Sequence, residues 1–411
     1  MGSEGPTDLA EHRRHYTAPD AHRDRAAGLV ARAGRARLRG RGGAGFPTAT
    51  KMQAVAARRG RAVVVANGTE GEPLSRKDVT LMMWQPHLVL DGAELAAMAV
   101  AADTVYVCIE RTQTATIAAM ERALQERTRC ESPSLSISLR TSPPRYVAGE
   151  ESALVHWLNG GEARPTNTPP RPFESGVGGR PTLVDNVETL AHFAQIAAFG
   201  DEWFRQVGTQ AEPGTALLSA SGAVERPAVY ETPLGTRLAT LIDHAGPTHG
   251  IGAVLVGGYF GGWLDPATAA RVRVCDEDLR RAGCGVGCGA VAVLPADGCG
   301  VMESARILTW MAHETAGQCG PCVNGLAAIA GTWDAIASGR AGTEHIRQLE
   351  RWAGQIEGRG ACKLPDGAIR FLHSALRVFA SDLERHARRA PCLGARRPGL
   401  LPVPQSQDVW R

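Results

Sequence analysis

Near residue 320 the chain carries thiols at the spacing of a metal or iron–sulfur site. Residues 313–322 read His-Glu-Thr-Ala-Gly-Gln-Cys-Gly-Pro-Cys, and a further cysteine follows in Gly360-Ala361-Cys362-Lys363. Cys319 and Cys322, two residues apart, can bind one centre without straining the backbone, and Cys362 closes the site once the fold returns it. A four-cysteine cage wants another thiolate three residues upstream of Cys319, where Ala316 stands. The set is therefore either three-thiolate iron–sulfur or degenerate. His313, one helical turn before Ala316, is a candidate fourth ligand, and an ordinary polar residue is the simpler reading. Cys392, after a proline, is a candidate substitute, whereas Cys284 and Cys288 read as small residues in a tight reversal. Cys299 is unassigned, and Cys108 and Cys130 read as packing residues.

Four further segments hold groups that could bind an anionic heterocyclic ligand. In Gly40-Arg41-Gly42-Gly43-Ala44-Gly45, four glycines in six positions let backbone N–H groups approach a phosphate, with Arg41 and the nearby Lys51 supplying charge. Ala66-Asn67-Gly68-Thr69-Glu70-Gly71-Glu72 follows a buried apolar run, so it falls beyond the carboxyl end of a strand, where ligands of open α/β sheets sit. Asn67 offers a donor and an acceptor to a heterocycle edge. Tyr146 to Leu154 contains Gly149-Glu150-Glu151, whose carboxylates either cap a helix or reach ribityl hydroxyls or a nicotinamide amide. Asp185-Asn186 stands at another helix start, where capping is again the competitor.

The elements that must position these groups follow from periodicity. Arg61–Asn67 and Thr104–Ile109 are β-branched runs, hence buried strands, and Leu88–Ala101 and Thr114–Leu124 have helical spacing between and after them. Alternating strands and helices predict a parallel α/β layer. A basic helix is expected over Leu29–Leu38, a long Gly- and Pro-rich loop over 160–181, and a helix from Asn186 to about Phe199. Short strands at Ala216–Ser219 and Ala253–Val256, with a helix near Leu238–His244, predict a small β-rich domain. From Met302 onward apolar residues recur at helical spacing, a helical bundle with the Cys pair at a helix start and Cys362 at an interhelix turn. The resulting division is a flexible arm over 1–24, the α/β domain over 25–205, the β-rich domain over 206–298, the helical domain over 299–392 and a loose tail over 393–411.

Composition narrows the class. At 411 residues the chain exceeds one ordinary core, and 44% apolar against 21% charged content suits a globular protein. A net charge of +3, from 45 basic against 42 acidic residues, gives no steering toward nucleic acid. The local crowd from Arg23 to Arg41 reads as a solvated helix face running into the glycine loop. No uninterrupted apolar run approaches the ~18 residues of a membrane span, and ten cysteines are too sparse for a disulfide framework, so a cytoplasmic protein with reduced thiols is expected.

Together the glycine loop, Gly149-Glu150-Glu151, Asn186-Val187-Glu188-Thr189 and the cysteine motif closely resemble the family of the flavin-binding, NADH-oxidising subunit of respiratory complex I. Kin of that family are the diaphorase subunits of soluble hydrogenases and NAD-dependent formate dehydrogenases. The resemblance covers about residues 25 to 385, and Arg226–Gly235 with Gly257–Gly262 is similar to the family's soluble-ligand-binding β-grasp module. It implies FMN held by Gly40, Arg41, Gly42, Gly43, Lys51, Asn67, Glu70, Tyr146, Gly149, Glu150, Asp185 and Asn186. It further implies NAD(P)H facing Phe46, Glu72 and Glu151, the two glutamates orienting it for hydride transfer. Cys319, Cys322 and Cys362 would hold a [4Fe–4S] or [3Fe–4S] cluster, passing single electrons to a small ferredoxin-like protein or a quinone-linked acceptor. The chain departs from the pattern at Thr69 (usually Asp), Asp185 (usually Asn) and Ala316 (usually Cys). Thr168 and Arg171 replace a Lys and a Phe of the NADH pocket, which leaves open a non-nicotinamide donor or a chain that has lost catalysis.

Overall fold

A computed structural model of the chain describes residues 6–16, 26–130, 135–405 and 409–411. Of the arginine crowd, Arg23 and Arg25 lie outside these residues, as does the side chain of Cys130. The chain forms two compact units, Met1–Gly71 with Arg76–Leu217 and Val409–Arg411, and Glu72–Ser75 with Leu218–Asp408.

The first unit is built on a parallel four-stranded sheet of β1 (Ala62–Gly68), β2 (Ala102–Glu110), β3 (Ser136–Ser142) and β4 (Thr182–Asn186), in the order β3-β2-β1-β4. The run Ala62–Ala66 explains why β1 is central. Ala62, Val64 and Ala66 enter one apolar core and Val63 and Val65 another, so the period of two serves both faces of a sheet covered on each side. Helices Pro86–Ala99 and Val187–Phe199 share the larger core, and they meet closely at Gly92, where a Cβ would stand 2.0 Å from the Leu190 carbonyl oxygen. Asn67 of β1 and Asn186 of β4 are direct partners across the sheet, which levels their side chains at the carboxyl ends of the two strands.

The second unit contains a mixed five-stranded sheet of β5 (Thr215–Gly222, of which Leu218 onward belongs to this unit), β6 (Ala228–Pro233), β7 (Ile251–Val256), β8 (Gly262–Leu264) and β9 (Ala290–Pro295), in the order β6-β5-β9-β7-β8. β5 and β9 run parallel, and β7 runs antiparallel to both β8 and β9. The helices follow over Gly300–His313, Ala327–Ala337, Glu344–Ile356, Leu364–Val378 and Ala380–Ala387, around fully buried Trp263, Trp333 and Phe371. Each indole N–H finds an acceptor, Trp263 on Ser304 Oγ at 3.1 Å and Trp333 on the Val301 carbonyl at 2.9 Å. Among the described residues no helix is long and apolar enough to cross a membrane.

Two expectations are corrected. The flexible arm contains a helix, Leu9–His15, whose N–H at Glu11 is accepted by Asp8 at 2.7 Å and whose His12 is buried with Nε2 2.7 Å from Asp91. A helix of about two turns, anchored by the distant carboxylates of Asp91 and Glu126, has no periodic signature. The described residues of the tail, 393–405 and 409–411, are not loose either. Within the second unit Leu401 is buried and Leu400 N–H donates to Glu303 at 2.6 Å, and within the first Trp410 lies between the guanidinium groups of Arg145 and Arg164, 4.4 and 4.1 Å from the ring centre.

Candidate functional site

The glycine loop is closed at its base by Gly40 N–H donating to the Phe46 carbonyl at 2.9 Å, and between these residues Gly42, Gly43 and Ala44 are exposed. Gly43 and Gly45 have φ of 107° and 61°, where a side chain would be strained, so the loop keeps its backbone bare. A Cβ at Gly42 would come within 3.3 Å of Asn186 Cβ, which sets the loop against the end of β4. Arg41 turns inward. Its N–H donates to Thr189 Oγ1 at 2.8 Å, and its guanidinium donates to the Thr215 carbonyl at 2.9 Å and lies 3.9 Å from Glu188. Phe46 is half exposed. Lys51, on the helix Thr48–Ala56, donates to the Val184 carbonyl at 2.5 Å and stands 3.4 Å from Glu151.

Asn67 is pinned at the end of β1. Its Nδ2 donates to the Gly149 carbonyl at 2.9 Å, and its Oδ1 accepts from the Thr69 N–H at 3.1 Å and from the Thr69 hydroxyl. One N–H and little lone-pair capacity remain for a ligand. Glu70 accepts from the N–H groups of Asp78 and Val79 at 3.1 Å each, satisfying the first turn of the helix Lys77–Trp84. Gly71 packs on Tyr146, where a Cβ would lie 3.0 Å from the tyrosine carbonyl oxygen. Glu150 caps its helix by accepting from Ser152 and Ala153 N–H groups at 3.0 Å, while Glu151, in the first turn, is left facing Lys51.

Asp185 is the odd member. Its carboxyl is buried, Oδ2 has no hydrogen-bond partner, and burial, only partly offset by Lys51, pushes its pKa up. Beside it Asn186 accepts from Glu188 N–H at 3.0 Å and donates to Asp78 at 2.8 Å. These contacts lead to a buried cluster that spacing alone does not reveal. Lys77 Nζ lies 2.7 Å from Asp78, 2.8 Å from Glu188 and 3.3 Å from Asn186. Burial works against the charge on Glu188, yet Lys77, His192 and Arg41 hold its pKa down at about 2; burial pushes Asp78 up to about 7 against the pull of Lys77. The signal was legible in part, because Glu188 sits inside the Asn-Val-Glu-Thr string and Lys77-Asp78 follows the Asn67–Glu72 segment. The first unit thus gathers the loop, Lys51, Asn67, Gly149, Glu151, Asp185 and Asn186 at the carboxyl ends of β1 and β4.

Glu72, expected beside a nucleotide, belongs to the second unit and is buried, its carboxylate accepting from the Tyr259 N–H at 3.0 Å and the Leu74 N–H at 3.4 Å. In the same unit the cysteine motif forms a helix start. Cys322 and Val323 N–H groups donate to the Cys319 carbonyl at 3.1 and 3.0 Å, and a wide turn over Pro321–Leu326 leads into Ala327–Ala337. Cys362 lies between the helices Glu344–Ile356 and Leu364–Val378. Burial, with the neighbouring Cys319 and Cys362 sulfurs adding to it, pushes the Cys322 thiol up to about 12. Ala316 is buried and His313 exposed at the end of the preceding helix. Cys284 and Cys288 donate to the carbonyls of Gly262 and Gly257 at 3.4 Å each, as packing residues of a tight reversal do.

Against known proteins, residues 33–195 match the Nuo51 FMN-binding domain, and residues 303–386 match the NADH-ubiquinone oxidoreductase-F iron-sulfur binding region. The chain is 34% identical over 371 residues to the F 2 subunit of NADH-quinone oxidoreductase from Rhizobium meliloti (strain 1021), covering 86% of this chain and 87% of the relative. It is 32% identical to the mitochondrial NADH dehydrogenase [ubiquinone] flavoprotein 1 of Dictyostelium discoideum, covering 84% of this chain and 76% of that one. Among solved structures, a chain of the NAD+-reducing [NiFe]-hydrogenase in its H2-reduced state superposes with a TM-score of 0.83 at 30% identity, over 93% of this chain and 67% of that one. With the bare glycine loop inside the first matched stretch and the cysteine pair inside the second, the chain belongs to the NADH-quinone oxidoreductase F family.

Proposed function

We propose that this chain oxidises NADH on bound FMN and delivers electrons one at a time, through an iron–sulfur centre on Cys319, Cys322 and Cys362, to a small ferredoxin-like protein or a quinone-linked acceptor. What carries the reading is the bare loop at Gly42–Ala44 beside Lys51 and the unpartnered Asp185 Oδ2, a set that suits a phosphate at one side and a hydrogen-bonding ring or ribityl chain at the other. FMN, when bound, supplies the conversion of a two-electron donor into one-electron traffic.

The residues take the following parts. Backbone N–H groups of Gly42 and Gly43 hold phosphate, and Lys51 adds the cation, since the Arg41 guanidinium is committed to Glu188 and Thr215. Asn67 offers its remaining N–H, Asp185 its free oxygen, and Asn186 with Gly149 fixes the level at which the ligand rests. Glu150 and Glu70 act by anchoring helix starts, Tyr146 by packing on Gly71, and Phe46 offers an exposed ring to the nicotinamide nucleotide. With Glu72 held by Tyr259, orientation of that nucleotide falls to Glu151. The sheet β5–β9 with the helix Leu238–Ala245 serves as a β-grasp module, and the protein works in the cytoplasm. Thr168 and Arg171, both exposed, favour a second reading in which another reductant replaces NADH.

Anaerobic mixing of the FMN-loaded protein with NADH and with NADPH decides between them. Bleaching of the flavin absorption by either supports the proposal, and a flavin left oxidised by both removes it.

A further inference from the structure

Cys299, His386 and Cys392 take no part in the sites above, yet their ligand atoms all lie within 4.8 Å of one another, the one such triad among the described residues. Cys299 Sγ is 3.5 Å from His386 Nε2. Tetrahedral zinc with a Zn–S bond of about 2.3 Å and a Zn–N bond of about 2.05 Å separates S from N by about 3.6 Å, so one ion fits between them with little movement.

The surroundings are those of a ligand set. His386 is fully buried, and its Nδ1 lies 2.6 Å from the Ala337 carbonyl, which can only accept. Nδ1 therefore carries the proton, and the Nε2 lone pair is aimed at Cys299, the arrangement by which metal-bound histidines are oriented. Cys299 is the N-cap of the helix Gly300–His313, its sulfur held in place by accepting from the Met302 N–H at 3.4 Å. Cys392 is half-buried and enters on the segment after the last long helix. That segment is held over the loop at 297–299 by Arg397 on Asp297 at 2.5 Å and by Gly394, where a Cβ would meet the Asp297 carbonyl oxygen at 2.6 Å.

We infer that Cys299, His386 and Cys392 form a second metal site, one that binds Zn(II) through two thiolates and one imidazole, with the fourth position open to solvent beside Cys392. Two sulfurs and a nitrogen in tetrahedral range suit zinc over magnesium or calcium. Each thiol gives up its proton to solvent as its S–Zn bond forms, with no change of oxidation state. The ion ties the start of one helix, the end of another and the segment at 392 together.

The test uses the full chain with its flavin and iron in place. Elemental analysis after incubation with Zn(II) and gel filtration gives about one zinc per chain, and zinc-edge absorption gives two sulfur neighbours near 2.3 Å and nitrogen near 2.0 Å. Cys392→Ser and Cys299→Ser lower bound zinc at least about tenfold and leave iron unchanged, while Cys319→Ser lowers iron and keeps zinc. In the wild type, without any substitution, Zn(II) protects Cys299 and Cys392 from alkylation and a chelator restores it. Zinc that follows Cys319, thiols alkylated equally with and without Zn(II), or a Cys299–Cys392 disulfide in anaerobic protein would each overturn the assignment.

Discussion

At the scale of single residues, the carboxylates nearest the glycine loop divide into those spent on backbone and those left for a ligand. Glu150 and Glu70 satisfy helix N–H groups, whereas Glu151 faces Lys51 and Asp185 keeps an unpartnered oxygen. Lys51→Met is expected to weaken FMN binding about 10- to 100-fold, the loss of one charge-assisted contact, as read from quenching of flavin fluorescence on titration. Glu150→Ala should cost the helix Glu151–Leu158 its cap, about 1 kcal/mol, seen as a lower thermal midpoint with FMN affinity changed far less than by Lys51→Met. In the second unit Ala316→Cys should turn a [3Fe–4S]-type EPR signal into a [4Fe–4S]-type one, and an unchanged spectrum would mean another ligand already completes the cage. The type of each of these residues was legible in the sequence. Which carboxylate was free was not, because a cap and a ligand use the same lone pairs and only distances separate them.

At the scale of elements, buried charge pins the helix Lys77–Trp84 to the start of Val187–Phe199. Lys77→Met would leave Glu188 and Asp78 buried without their cation, and a loss of about 3 to 5 kcal/mol is expected in denaturant unfolding of the first unit. The two acids act oppositely with pH. Glu188, held at about 2 against an ordinary 4.5, contributes stability that is complete above 4.5 and lost as pH falls through 2; Glu188→Gln should flatten that acid limb, worth about 3 kcal/mol. Asp78, raised to about 7 from 3.8, costs stability as pH rises across that interval, so Asp78→Asn should flatten the neutral limb. Periodicity found β1, β2 and the helix Val187–Phe199 because each is long or uniformly apolar. It missed β3, which alternates but offers only Ile137 and Leu139, both partly buried, as apolar residues, and β4, five residues running straight into a helix cap. The helix Leu9–His15 and the packed tail escaped for a related reason, since each is anchored by one or two residues whose partners are far away in sequence.

At the scale of the molecule, each unit carries one half of the chemistry. The first gathers a nucleotide-type cradle at the ends of parallel strands, and the second places thiols at a helix start and an interhelix turn, with a further Cys–His–Cys triad in the same unit. Family membership was legible from short strings that bend the backbone or hold sulfur, while the association of Glu72 with the second unit needed the fold. The most direct measurement is rapid-freeze EPR after anaerobic mixing of FMN-loaded protein with NADH, in wild type and Cys322→Ser. The flavin should bleach in both proteins, and the reduced iron–sulfur signal should follow it in the wild type alone. A cluster signal that persists in Cys322→Ser, or a wild-type flavin that NADH leaves oxidised, would contradict electron delivery from flavin to a cluster held by these thiols.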